Sequence, residues 1–292
     1  LIPSVSKTTS DAGKTVKPGA SRLPHSAWLK KLEPILTAEN RRIVLYEFCY
    51  DSSDEHTLSA WARHFRQQYC LDAHIDRLRH GTRLSRAEYL TTLKFPSEFD
   101  KPGPSIRSGD FSEILVADLL ESVYSYFVPR TRYGDKKVKN ESSKGSDVIG
   151  LKIASKDPSK TSEKDILLVV ETKAKLSGRK PINRLQDAVT DSWKDSVRIA
   201  ASLNSMKQRL YDLNQDAEAS YVERFQDPMG KPYLQKYGAV AVFSSSVFNA
   251  EILAKTICSA HPGNSTLVLL CIHGEDLMKL AHTIYRRAAD EA

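Results

Sequence analysis

Ile166-Leu167-Leu168-Val169-Val170-Glu171-Thr172-Lys173 is the stretch on which the fold turns. Five apolar residues in succession, rich in branched side chains, read as a strand buried on both faces. Such a strand lies inside a sheet that carries helices on both sides. The run ends in an acid, a threonine and a lysine. Strand side chains alternate faces, so Glu171 and Lys173 share one face and Thr172 points to the other. An acid and a base are thereby held side by side at the end of a rigid element.

Upstream, Asp147 to Ala154 reads as a second strand. The link from Ser155 to Asp165 is polar and contains Pro158, which predicts an antiparallel hairpin. Pairing that is symmetrical about this loop sets Asp147 opposite Lys173 and close to Glu171. Two neighbouring carboxylates repel when both ionise. A divalent cation relieves that repulsion, and Mg²⁺ favours a few carboxylates with waters and phosphate oxygens. A metal so held lowers the pKa of a bound water and neutralises charge developing on a phosphate. A nearby lysine orients the water or stabilises the charged transition state. The plainer alternative is a strand-end ion pair of Glu171 with Lys173, and an ordinary turn at Gly145-Ser146-Asp147. A Glu-x-Lys tripeptide alone is common. More specific is the combination of Gly-Ser-Asp opening one strand, an apolar strand ending in Glu-x-Lys, and a helix beyond it.

Further out, the order from Arg107 onward is helix, strands, long helix, strand, strand, helix. Asp110 to Phe127 is expected as a helix with Phe111, Leu115, Leu119 and Val123 on one stripe. Asp110 would be its N-cap and Glu113 its capping-box partner. A weak strand is expected at Tyr126 to Arg132. One long helix is expected from Pro181 to about Leu210, with Ile182, Leu185, Val189, Trp193, Val197 and Ala200 inward. Tyr237 to Phe243 and Thr266 to Ile272 read as short strands, and Glu275 to Arg287 as a closing helix. Ahead of this unit, Arg42 to Tyr50 reads as a strand. Leu58 to Cys70 reads as a helix with Leu58, Trp61, Phe65 and Tyr69 inward, and Ser85 to Thr92 as a short helix. The division expected is a flexible basic arm over 1–26, an N-terminal α/β region over 27–104 and the main domain over 105–292.

Composition narrows the function. With 292 residues and 40% hydrophobic residues, the chain can fill a real core. No apolar run approaches the roughly 20 residues of a membrane span. The polar N-terminus lacks the apolar stretch of a secretory signal. The four cysteines have no zinc-ligand spacing, and free thiols in a reducing cytoplasm are expected. The net charge is +7, and Val128 to Lys180 carries 14 Lys or Arg against 7 Asp or Glu, so this segment holds the whole excess. A basic surface attracts nucleic acid irrespective of sequence, although a solvated lysine-rich loop has the same composition.

These residues resemble the PD-(D/E)xK nuclease superfamily, whose core runs helix, three strands, helix, strand. The resemblance implies a restriction-endonuclease-like α/β core: a mixed central sheet flanked by helices, here with an N-terminal α/β extension. It implies that Asp147 and Glu171 hold metal (Mg²⁺, with Mn²⁺ as a substitute), that the Thr172 carbonyl adds a ligand, and that Lys173 is catalytic. Ser146 stands where the family pattern has proline. A closer resemblance is to HamA, the nuclease subunit of the Hachiman anti-phage system. It rests on Arg107-Ser108-Gly109-Asp110-Phe111-Ser112-Glu113, followed by an apolar helix and then the Gly-Ser-Asp and Glu-Thr-Lys motifs. This resemblance implies a bacterial defence protein acting on DNA with a helicase subunit, HamB.

Several residues remain open between site and scaffold. Glu113 either joins the metal shell or only caps its helix. Lys175, Arg179 and Lys180 either hold DNA phosphates or form a solvated loop. Arg107 either contacts phosphate or pairs near the helix start. Gln186 matches a glutamine functional in some relatives, and Asp187 reads as a solvated acid. Arg77, Arg79, His80, Arg83 and Arg86 form a second basic cluster that reads as a solvated face. Three functions stay in play: a Mg²⁺-dependent DNA nuclease, a non-catalytic DNA-binding or helicase-regulating subunit on the same fold, and an RNA-processing enzyme.

Overall fold

The computed structural model describes residues 22–134, 136–143, 145–155, 160–194 and 198–292. The arm expected over 1–26 lies outside them as far as residue 21. His25 and Ser26, at its end, are buried in a 3-10 turn, Pro24–Trp28. Three strands follow, β1 (Leu29–Lys31), β2 (Ile35–Leu36) and β3 (Arg42–Phe48). Helices α1 (Glu55–Tyr69), α2 (Asp72–Arg79) and α3 (Arg86–Tyr89) come next, the last running into a π-helical turn at Leu90–Lys94. Helix α4 (Gly103–Ser122) leads to the hairpin of β4 (Val148–Lys152) and β5 (Ile166–Lys175). Then come α5 (Arg184–Ser192), α6 (Ile199–Asp212), α7 (Asp216–Glu223), β6 (Leu234–Ser244), α8 (Ala250–Ala254), β7 (Leu267–Gly274) and α9 (Leu277–Asp290).

The strands make one mixed sheet in the order β1-β3-β7-β6-β5-β4, with β2 also on β3. The pairs β3–β7, β7–β6 and β6–β5 are parallel, and β5–β4 is antiparallel. The N-terminal strands therefore complete the sheet that carries the hairpin. Among the described residues no helix is long and apolar enough to cross a membrane.

β5 is covered on both faces, as its continuous apolar run predicts. Leu168 and Val170 pack into the cluster built by α1, α4 and α9. Leu167 and Val169 face the other way, against Ile199, Leu203 and Leu210 of α6. Leu58, Trp61, Phe65 and Tyr69 are all buried, so the stripe expected on α1 is the one the core uses.

Four local expectations are corrected. α4 begins at Gly103, with proline in its first turn, so Asp110 lies two turns inside it and caps nothing. The strand expected at Tyr126 to Arg132 reduces to a single bridge, Phe127 with Leu151. The long helix from Pro181 is two helices, and Val197 of its expected stripe lies outside the described residues. A single helix of that length would run about 45 Å, and its two halves serve different parts of the core. Leu185 and Val189 pack on β6 and β7, whereas Ile199 and Leu203 pack on β4 and β5. Ala200 and Trp193 are accordingly exposed. The hairpin pairs Val148 with Val170 and Lys152 with Ile166, two residues out of the symmetrical register. An even slip keeps every side chain on its face.

Candidate active site

Extending the hairpin by one pair sets Asp147 opposite Glu171 rather than Lys173. The turn that delivers Asp147 requires Gly145, whose φ of +97° lies where side chains are disfavoured. Asp147 is then fixed from the next strand: its Oδ2 accepts the Thr172 N–H at 3.0 Å. One residue either side, β5 carries Glu171 and Lys173 on the face covered by α5. Ala239 and Ala241 of β6 are their register partners, and these small residues let α5 pack close.

That packing introduces a residue the sequence did not single out. Asp191, in the last turn of α5, accepts from the Lys173 ammonium at 2.8 Å, while Glu171 accepts from it at 2.7 Å. Burial works against the Lys173 charge, but the hydrogen bonds to Asp191 and Glu171 overcome it and raise the pKa. Lys173 is thus an ammonium at neutral pH, suited to donating to an anion and unsuited to taking a proton.

Glu113 reaches the same end of the hairpin from α4. Its Oε2 accepts the Tyr133 hydroxyl at 2.6 Å and lies 2.9 Å from Nε of Arg132. Arg132 is the second residue missed from sequence. Nη2 pairs with Asp147 Oδ1 at 2.9 Å, and the guanidinium also donates to the carbonyls of Ser143, Gly145 and Ser146. One planar group therefore ties the two acids to the turn between them. A cavity of about 30 Å³, room for about one water, adjoins Glu113, Arg132 and Asp147.

The acids outnumber their cations here. Glu113, Asp147 and Glu171 converge on Arg132 and Lys173. Burial foremost, then the Glu113 charge, pushes the Asp147 carboxyl well above the usual carboxylate range; Arg132 opposes the shift and Glu171 adds to it. One turn before Glu113, Asp110 is raised to about 6, chiefly by burial, with Lys136 at 2.6 Å pulling it down. The Tyr69 hydroxyl donates to Asp110 at 2.7 Å.

The other candidates are placed as follows. Arg107 is buried: it donates to the Pro96 carbonyl at 2.7 Å, pairs with Glu98 at 3.3 Å and lies 4.5 Å from the centre of the Tyr285 ring. Lys175 is half-buried, and Arg179 and Lys180 are exposed beyond it. Gln186 spends both ends of its amide on the backbone of Ile257. Asp187 pairs with Arg184 at 2.8 Å. In the second basic cluster, Arg79 and Arg86 both pair with Asp76. The four cysteines are free; Cys70, Cys258 and Cys271 are buried and Cys49 is exposed.

The donor set fits a hard divalent cation. Its oxygens come from carboxylates: burial first, and then the charges of Glu113 and Glu171, raise Asp147, and added positive charge would offset both. Among the described residues no three His, Cys, Asp or Glu side chains form a ready-made cage. One or two carboxylates, completed by waters and phosphate oxygens, are the arrangement Mg²⁺ prefers.

A mixed sheet flanked by helices, with acids and a lysine gathered at the end of a central hairpin, defines an α/β protein with a nuclease-like core. The family model described as HamA matches residues 25–288, nearly the whole described chain. The chain belongs to the HamA family, and so is a HamA-like protein of Hachiman defence. No curated protein and no solved structure matches it.

Proposed function

We propose that this protein is a Mg²⁺-dependent deoxyribonuclease that acts as an effector in bacterial anti-phage defence, under the control of a helicase partner of the HamB kind. The observation that carries the proposal is the meeting of Asp147, Glu171 and Lys173 across the β4–β5 hairpin, with Glu113 brought in by α4. Asp147, Glu171 and the Thr172 carbonyl would hold the metal, and Glu113 would assist from the Arg132 side. A bound metal there supplies an activated water and neutralises phosphate charge. Lys173 donates to the phosphate oxygen on which charge builds, held at its post by Asp191. Lys175, Arg179 and Lys180 extend that positive edge along the path of the nucleic-acid backbone.

One feature favours the second reading, a non-catalytic DNA-binding or helicase-regulating subunit. Asp147 and Glu171 each already hold an internal cation, Arg132 and Lys173. Digestion of supercoiled plasmid with Mg²⁺, with and without the helicase, separates the two. Nicking or degradation by wild type, abolished by EDTA and by Glu171→Ala and Lys173→Ala, establishes the nuclease. No cleavage under any condition, with DNA binding unchanged in both variants, establishes the binding subunit. An RNA competitor added to the same reaction tests the choice of DNA.

A further inference from the structure

Phe99 is 84% exposed, the most exposed aromatic among the described residues. A single apolar side chain in water is ordinary by itself; what sets this one apart is how it is held and what lies beside it. The Ser97 hydroxyl accepts the N–H groups of Phe99 at 3.3 Å and Asp100 at 3.0 Å, and donates to the Asp100 carboxylate at 2.8 Å. The Ser97 N–H is itself bound to the Asn140 side chain at 2.8 Å. The ring is therefore presented by a braced turn.

Phe99 forms one wall of a groove of about 890 Å³ at the C-terminal end of β5. Lys101, Lys175, Arg184, Ser105 and Ser108 line it, and its floor reaches Thr172 and Lys173. Arg184 pairs with Asp187 and Lys173 with Glu171 and Asp191. Lys101 and Lys175 have no ion-pair partner among the described residues, so their charge is available to a ligand. An unpartnered aromatic beside free lysines and hydroxyls, in a groove that leads to the reacting end of a strand, is the combination that takes single-stranded nucleic acid. The backbone follows the cations while a base lies on the ring. A duplex offers no such base, because its rings are already stacked and paired.

We propose that this groove binds a single-stranded segment of DNA, with Phe99 as the platform for one unpaired base and Lys101 and Lys175 as its phosphate contacts, and delivers the strand to Lys173. The inference rests on the nuclease reading for its direction of travel, but not for the binding itself. Phe99 then sets the substrate form: frayed ends, gaps and displaced strands in preference to intact duplex.

The test is binding in EDTA, where metal-dependent cleavage is silent. Oligonucleotides carrying one 2-aminopurine are titrated with wild type, Phe99→Ala, Phe99→Trp and Lys101→Ala, single-stranded and as duplex. Wild type is expected to quench the single strand on binding. Phe99→Ala should weaken single-strand affinity by about 5- to 150-fold, the range for loss of one base–aromatic stack, and leave duplex affinity unchanged. Phe99→Trp should restore both affinity and quenching. Lys101→Ala should lower the salt dependence of binding without removing the quench. Unchanged single-strand affinity in Phe99→Ala, or an equal loss for duplex, overturns the proposal. So does loss of association with a purified helicase partner in place of lost oligonucleotide binding, which assigns Phe99 to a protein contact. Selective single-strand binding without plasmid cleavage under any condition leaves this inference standing while the nuclease reading falls.

Discussion

Arg132 Nη2 and Asp147 Oδ1 lie 2.9 Å apart, and the same guanidinium meets Glu113 at 2.9 Å through Nε. Its other donors are spent on carbonyls of the turn that carries Asp147. Arg132 thus sets the separation of two acids that arrive from different elements, a helix and a hairpin. Burial works against its charge, and Glu113 and Asp147 together outweigh that and raise its pKa. Under the proposed function, it would position the acids for their cation.

Removing it should expose that role. Arg132→Gln leaves buried acids without their partner, which costs about 3–5 kcal/mol of stability. Arg132→Lys keeps the charge but cannot fork between the acids and the carbonyls. We expect the lysine variant to fold and its Mg²⁺ midpoint for cleavage to rise by about 10- to 100-fold, the range for losing a partner that orients a ligand. Thermal melts and plasmid cleavage across a Mg²⁺ series check this. An unchanged midpoint would confine Arg132 to scaffolding.

Asp191 should matter for the turnover step and not for metal uptake. Asp191 holds the Lys173 ammonium at 2.8 Å, and under the proposed function it would keep Lys173 in place once Glu171 is given over to the metal. Asp191→Asn is expected to slow cleavage by roughly 10- to 100-fold, as small misplacements of a reacting group do, with the Mg²⁺ midpoint unmoved. Single-turnover rates at saturating metal read this directly. A shifted midpoint with normal turnover would place Asp191 with the ligands instead.

Metal affinity should increase with pH. Burial and the Glu113 charge raise the Asp147 carboxyl, so protonated Asp147 persists into a range where a free aspartate is ionised. A cation must displace that proton. As pH falls toward the raised pKa, more metal is needed for half-maximal activity. Titrating Mn²⁺ binding calorimetrically at several pH values tests it, and buffers of different ionisation heat reveal the released proton. Affinity flat with pH, with no proton release, would contradict it.

Acid should also weaken the fold, through a buried polar cluster on α4. Asp118, fully buried on α4, accepts from His25 and His64 at 2.9 Å each and from Arg130 at 2.7 Å. Burial lowers the His25 pKa, against the pull of Asp118. The folded state therefore holds His25 neutral where the unfolded chain, at about 6.5, binds a proton. Stability is full above that value and declines as pH falls through it. Asp118 acts in the same direction at lower pH. Burial opposes its charge, but His64, Arg130 and His25 hold its carboxyl well below the usual range. Its contribution is present above about 3.8 and is lost on further acidification. Melting temperature should drop between pH 7.5 and 5, and His25→Gln should flatten that slope. A slope identical in the variant would remove His25 as its source.

Much of the architecture was legible because it rests on local rules. The run Ile166 to Val170 declared a strand covered on both faces, and Leu167 with Val169 and Leu168 with Val170 do face opposite clusters. The α1 stripe of Leu58, Trp61, Phe65 and Tyr69 was readable from helical spacing alone. The start of α4 was not, because Asp110 has the chemistry of a cap while residing inside a helix. Only its buried partners, Lys136 and Tyr69, explain an aspartate there.

Sequence by itself determined which residues the hairpin presents on one face, because alternation along a strand is a property of the backbone. It therefore placed Glu171 and Lys173 together, with Asp147 nearby. Tertiary structure alone decided the register that sets Asp147 opposite Glu171, the arrival of Asp191 over Lys173, and the guanidinium of Arg132 between Asp147 and Glu113. The reason is physical. Register, helix docking and ion-pair geometry depend on contacts between segments far apart in the chain, and no local periodicity encodes a long-range distance.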